Sequence, residues 1–260
     1  MILDELARHA QERVAEAKKA VSLAEIMAKA KALPKGDFRF EKALAGKNAS
    51  FICEVKKASP SKGVIDEQFD YLATAMLYED AGADCVSVLT EPKWFLGSND
   101  IFRAIRLAVD LPLLRKDFTV DEYQIYEAKC MGADAVLLIC ALLDTETLRR
   151  YLAVCDGLGL SALVEAHDEG ELSSAVRAGA RVIGVNNRNL KDFSVDLTNA
   201  ARLRGMAPAG TVFVAESGVA SPEDAAALRR AGADALLVGE YLMRALDKEG
   251  ALKGLKEAVR

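Results

Sequence analysis

The sequence predicts a closed barrel of eight parallel strands, each followed by a helix, with a helical extension of nearly fifty residues ahead of it. Three observations predict it: a helix–glycine–strand junction that recurs four times, an aliphatic run midway between successive copies, and a rim of charged residues where those runs end. At 260 residues with 51% hydrophobic side chains the chain can bury one large core. The reading is therefore one domain, 1–260, made of an extension over 1–48 and a barrel over 49–260.

The recurring junctions are Ala81-Gly82-Ala83-Asp84 before Val86 to Leu89, Gly132-Ala133-Asp134 before Val136 to Ile139, Gly179-Ala180-Arg181 before Val182 to Val185, and Gly232-Ala233-Asp234 before Leu236 to Gly239. Glycine suits the left-handed residue that ends a helix, and the aliphatic run after it suits a strand covered on both faces. The four glycines lie 50, 47 and 53 residues apart. That is the length of two βα units, so one more strand is due between each pair. The runs Ser50 to Lys56, Pro112 to Lys116, Leu160 to Glu165 and Thr211 to Glu216 supply the missing strands. Eight strands alternating with helices imply a (β/α)8 TIM barrel. An open doubly wound sheet wants a glycine-rich turn after its first strand, and Lys57-Ala58-Ser59-Pro60 is not one.

Ahead of the barrel, Leu3, Leu6, Ala10, Val14, Ala17 and Val21 recur at helical spacing and predict an amphipathic helix. Ser22 to Glu25 has the form of a capping box, which starts a second helix that Pro34 and Gly36 end. An apolar stripe needs a surface to cover, so both helices are expected against the barrel.

The net charge of -5 argues against nucleic acid, whose phosphates call for a surplus of Lys and Arg. No run approaches the roughly 18 consecutive apolar residues of a membrane span, and the charged start is unlike a signal peptide. A cytoplasmic protein is expected, with no nucleic-acid and no membrane partner. Its five cysteines, Cys53, Cys85, Cys130, Cys140 and Cys155, show no C-x-x-C spacing and are expected to be reduced and structural.

Active sites in such barrels form at the C-terminal ends of the strands. There the sequence puts Glu54 and Lys56, Lys116 and Asp117, Glu165, Asn186, and Glu216 with Ser217. Alternate residues of a strand share a face, so Glu54 and Lys56 point into the mouth together while Val55 packs outward. One such charge could be a solvated cap. Five strands converging imply a site where lysines and glutamates shift one another's pKa, which separates acid from base near neutral pH. After the last two strands, Glu216-Ser217-Gly218 and Val238-Gly239-Glu240 are tight exits suited to holding phosphate on backbone N–H groups, with Arg188 adding a cation. Plain turn chemistry is the alternative. Trp94, Phe95 and Phe118 are either core or apolar walls for an aromatic substrate. His9 reads as a surface residue of the first helix, and His167 lacks the partner cluster that would mark a metal site.

The run Glu54-Val55-Lys56-Lys57-Ala58-Ser59-Pro60-Ser61-Lys62-Gly63 resembles the first-strand signature of indole-3-glycerol-phosphate synthases. The resemblance continues through Leu89-Thr90-Glu91, Phe95-Leu96-Gly97-Ser98, Leu114 to Phe118, Leu163-Val164-Glu165, Gly184 to Leu190, Ala215 to Gly218 and Val238-Gly239-Glu240, and so covers nearly the whole chain. It implies ring closure of a phosphorylated, anthranilate-derived substrate with loss of carbon dioxide and water, by general acid–base catalysis with no cofactor and no metal. It further implies Lys116 as general acid on the ketone oxygen, Lys56 as partner of the substrate carboxylate, Glu165 in loss of the hydroxyl, and Glu54 as base or orienter. Asn186, Glu216 and Ser217 would hold hydroxyls. Ser59, Phe95, Phe118, Arg188, Leu190, Gly218, Gly239 and Glu240 would bind the rest of the substrate and its phosphate. In this family the extension lies across the mouth and helps form the pocket. The resemblance suggests a monomer, with at most weak association with other tryptophan-pathway enzymes. Two positions depart from some relatives: Ala58 replaces a basic residue, and Glu240-Tyr241 replaces a Ser-Ser pair, leaving phosphate to backbone donors and Arg188.

Three rivals remain at this point. A phosphoribosylanthranilate-isomerase-like enzyme would use a Cys and Asp pair, but Cys53 faces away from the mouth if Glu54 faces in. A Schiff-base aldolase would use a strand-end lysine as nucleophile. A non-catalytic phosphate-metabolite binder needs no paired acids and bases.

Overall fold

The computed structural model describes residues 2–46, 48–189 and 192–260. Three helices come first: α1 (Ile2–Ala20), α2 (Leu23–Ala32) and α3 (Arg39–Leu44). Eight strands then close into a parallel barrel: β1 (Ser50–Val55), β2 (Cys85–Leu89), β3 (Leu113–Lys116), β4 (Ala135–Ile139), β5 (Ser161–Ala166), β6 (Val182–Asn186), β7 (Val212–Glu216) and β8 (Ala235–Val238). Neighbours in sequence pair, and β1 closes the ring against β8. Around them run α4 (Tyr71–Asp80), α5 (Asn99–Ala108), α6 (Tyr123–Cys130), α7 (Thr145–Leu158), α8 (Glu169–Ala178), α9 (Thr198–Arg204), α10 (Pro222–Arg230), α11 (Glu240–Arg244) and α12 (Lys248–Ala258). Side chains of Asp70, Ser98, Asp144, Asp168, Ser221 and Asp247 accept from the first-turn N–H groups of six of these helices and fix where each begins.

The repeated Gly-Ala-Asp junction has a physical reason at each position. Gly82 and its counterparts Gly132, Gly179 and Gly232 all hold positive φ, from 82° to 97°, where a side chain would be strained. The aspartate then spans two strands: Asp84, Asp134 and Asp234 each accept from the N–H of Phe51, Leu113 and Phe213 at 2.8–2.9 Å while donating their own N–H to the same residue's carbonyl. The third copy carries Arg181 instead. Its guanidinium pairs with Glu41 of α3 at 3.1 Å and lies over the Phe38 ring, so the break in the repeat marks where the extension docks.

Alternation along the strands makes two cores. Phe51, Cys53 and Val55 of β1 face the helices, together with Val86, Val88, Val136 and Val164. Ile52, Leu114, Leu137, Leu163, Val214 and Leu237 fill the barrel interior. Both sets are buried, as parallel strands covered on both faces require.

The extension does not lie wholly across the mouth. Helix α1 does sit at the C-terminal ends of the strands, burying Leu6, Ala10 and Val14 and pairing Lys18 with Asp121 at 2.7 Å. Helix α2, opened by the Ser22–Glu25 capping box, packs outside the barrel against α6. Helix α3, which periodicity did not reveal because it spans only six residues, plugs the opposite end. Phe40 and Leu44 are fully buried against the interior core, and Ser161 Oγ accepts from the Glu41 N–H at 3.2 Å. A small antiparallel ladder, Ala58–Ser59 with Gly63–Val64, follows β1 and was also unpredicted.

Candidate active site

The strand ends surround a cavity of about 820 Å³, lined by all seven residues expected to do chemistry: Glu54, Lys56, Lys116, Glu165, Asn186, Glu216 and Ser217. Its floor is a charge cluster. Lys116 Nζ lies 3.5 Å from Glu165 Oε2 and 3.8 Å from Glu216 Oε2. Lys56 Nζ donates to Glu54 Oε1 at 2.5 Å, and Asn186 Nδ2 donates to Glu165 Oε1 at 3.0 Å. Glu54, Glu165 and Glu216 are each no more than 5% exposed.

Burial opposes charge on Lys116, but Glu165, Glu216 and Glu54 outweigh it and hold the ammonium above its ordinary pKa. Burial likewise pushes Glu54 upward, and Lys56 and Lys116 more than offset it, so its carboxyl titrates below the usual range. Glu216 goes the other way. Burial first, then the charge of Glu165, push it up to about 8 in spite of Lys116.

Two glycines make room for this cluster. A Cβ on Gly184 of β6 would overlap the Glu216 carboxylate, and one on Gly239 would press on Glu54 and Lys56. Gly239 was expected to matter for phosphate; its close approach to the floor is an additional constraint. Gly184 was missed, although a glycine inside a strand is itself the signal for such an approach.

One wall is aromatic. Phe95 and Phe118 line the cavity with ring centroids 6.0 Å apart. Each is held through a buried carboxylate that α1 grips. Glu91, fully buried, accepts from the N–H groups of Lys93, Trp94 and Phe95 at 2.7–3.1 Å and meets His9 Nδ1 at 3.0 Å. Asp117 accepts from the Phe118 N–H at 2.8 Å and takes a two-pronged bond from Arg13 at 3.0 and 2.6 Å. Burial pushes Asp117 up, but Arg13 and Arg115 hold it below the usual carboxylate range. His9 is therefore more than a surface residue: it and Arg13, one helical turn apart on α1, each hold a buried carboxylate that follows a strand. His167 does not line the cavity; its Nδ1 lies 2.9 Å from the Asn186 carbonyl.

The opposite end of the cavity is cationic. Ser59, Arg188, Gly218, Gly239 and Glu240 line it as expected, and Lys62 and Arg244 join them. Ser217 and Gly218 turn the chain after β7 with φ of 65° and 93°. The Glu240 carboxylate points to the cations, 3.4 Å from Lys62, 3.2 Å from Arg244 and 3.9 Å from Arg188. Lys62 and Arg244 thus stand beside Arg188 at this end, and the Glu240 carboxylate faces all three. Leu190 lies outside the described residues. Among the described residues no group of three or more His, Cys, Asp or Glu side chains is arranged to hold a metal ion.

Residues 3–255 match the family model of indole-3-glycerol phosphate synthase. The chain belongs to that family. It is 54% identical over 257 residues to the indole-3-glycerol phosphate synthase of Ruminiclostridium cellulolyticum, covering 98% of this chain and 99% of that protein. The corresponding protein of Endomicrobium trichonymphae is 46% identical over 99% of this chain and 100% of its own length. Among solved structures, a thiamine phosphate pyrophosphorylase from Pyrococcus furiosus superposes with a TM-score of 0.61 at 16% identity, over 82% of this chain and 96% of that one. That likeness concerns the barrel alone. No helix among the described residues is long and apolar enough to cross a membrane.

Proposed function

We propose a division of labour among the mouth residues for the reaction of this family, the conversion of 1-(2-carboxyphenylamino)-1-deoxyribulose 5-phosphate to indole-3-glycerol phosphate, carbon dioxide and water. The observation that carries it is Lys116, a buried ammonium held between Glu165 and Glu216 at the cavity floor. The ring carbon that bears the carboxylate attacks the ketone carbon, and Lys116 protonates the oxygen as it gains charge. The Glu165 and Glu54 carboxylates keep Lys116 charged until then, and an alkoxide is basic enough to take its proton.

Carbon dioxide then leaves with the electron pair of its bond restoring the aromatic ring. Lys56 pairs with the substrate carboxylate before that step and gives a proton to the departing hydroxyl afterwards, while Glu165 takes the proton from the neighbouring methylene carbon so that water is lost. Glu54 holds Lys56 in place. Asn186, Glu216 and Ser217 bind the ribulose-derived hydroxyls; near neutral pH Glu216 retains a proton that it can donate in a hydrogen bond. Phe95 and Phe118 wall the aromatic ring, and the phosphate lies at Ser59, Arg188, Gly218 and Gly239. Clamping both ends folds the substrate into its reactive shape.

Every one of these groups comes from one chain, so the site is complete in a monomer. The unpaired thiols suit the reducing cytoplasm. Turnover tests the reading: indole fluorescence should grow when purified protein meets the substrate and be nearly abolished in Lys116→Ala. A folded wild-type protein that produces none would overturn it.

A further inference from the structure

The cationic end of the cavity contains an anion of its own. Lys62, Arg188 and Arg244 come from the turn after β1, the segment after β6 and the end of α11, and all three converge on the Glu240 carboxylate at 3.2–3.9 Å. Nothing in the packing forces this carboxylate inward, since Glu240 is about 30% exposed and water is open to it. Three cations around one carboxylate leave the cluster with a surplus of two positive charges, the charge a phosphate dianion would neutralise.

From this geometry we infer that Glu240 is an internal counter-ion that competes with the substrate and product phosphate for Lys62, Arg188 and Arg244. The inference rests on the placement of phosphate at this end of the cavity. Until phosphate binds, the carboxylate keeps three like charges from repelling one another and ties Lys62, and with it the turn after β1, to the start of α11 after the neighbouring strand β8. An arriving phosphate offers the same cations a doubly charged partner and pushes Glu240 aside. The product carries the same phosphate as the substrate, so a clamp without a competitor would hold it as tightly. Glu240 weakens that grip and lets the product leave.

The sign of this effect separates it from a positioning role. If Glu240 competes, removing its charge tightens phosphate binding; if it merely holds the arginines in place, removing it loosens binding. Titration of the full chain with inorganic phosphate at fixed ionic strength reads this directly. Glu240→Gln should bind phosphate about three- to tenfold more tightly than wild type, the range expected for removing a few part-exposed ion pairs. Product inhibition by indole-3-glycerol phosphate should strengthen by a similar factor, and Arg188→Ala should bind phosphate more weakly than wild type. Unchanged or weaker phosphate binding in Glu240→Gln, with Arg188→Ala impaired, would overturn the counter-ion and leave the phosphate placement standing. An Arg188→Ala protein that binds phosphate like wild type would overturn the placement and the inference with it. A phosphate-bound structure is the second check: Glu240 should be released from Lys62 and Arg188, and an undisplaced carboxylate beside bound phosphate would contradict it.

Discussion

The two ends of the cavity are opposites in charge and in burial. At the floor, one lysine sits among three buried carboxylates, with a second lysine beside one of them; at the cationic end, one half-buried carboxylate sits among three cations, of which Lys62 and Arg244 reach toward solvent. The consequence differs with depth. Buried like charges cannot be relieved by water, so one carboxyl, Glu216, is pushed up to about 8 and the floor gains a group poised to hold a proton. Charges near solvent are screened, so the outer cluster is suited to exchanging one anion for another. Depth would thus separate the chemistry from the binding.

The largest expected effect lies at the floor. Lys116→Ala should lower kcat/KM by about a thousandfold or more, because it removes both the proton and the charge aimed at the ketone oxygen. Arg188→Ala should instead act mainly through KM, since a phosphate contact is made before and during the reaction alike. An equal kcat loss in both variants would erase the contrast between the two ends.

Glu165→Gln should cost about a hundredfold in indole formation. Arg13→Ala leaves buried Asp117 without its two-pronged partner and should lower stability by about 1–3 kcal/mol, read in thermal melts. Because Asp117 fixes Phe118, this variant should also raise KM. A variant that melts lower but keeps the wild-type KM would show that α1 supports the fold without shaping the wall.

The remaining effect is on how stability depends on pH. Glu216 titrates near 8 folded against an ordinary 4.5, so the folded state holds its proton more tightly than the unfolded chain. The associated stability is present below about pH 4.5 and is lost as pH rises toward 8. Glu216→Gln cannot ionise, so its melting temperature should match wild type at low pH and gain on it steadily up to about pH 8. A difference that stays constant across that range would contradict the raised pKa.

Much of this was legible in the sequence because barrels obey simple periodicities. The glycine junctions announced the strands, alternation told which face of β1 enters the mouth, and charged strand ends located the floor. What escaped depended on contacts between distant segments. Helix α3 is too short for a periodic signal, and the grip of His9 on Glu91 and of Arg13 on Asp117 joins residues more than 80 positions apart. Lys62 was read as part of a motif and Arg244 was not singled out, because nothing local says that both will meet Glu240. Gly184 could have been found from its place inside a strand.

In the proposed division of labour Lys116 acts at ring closure, before carbon dioxide leaves, whereas Glu165 acts afterwards. Single-turnover release of carbon dioxide, measured alongside indole fluorescence, tests it most directly. In Lys116→Ala both signals should fall together, and in Glu165→Gln carbon dioxide should appear well ahead of indole. Free release of carbon dioxide by Lys116→Ala without indole would contradict the account.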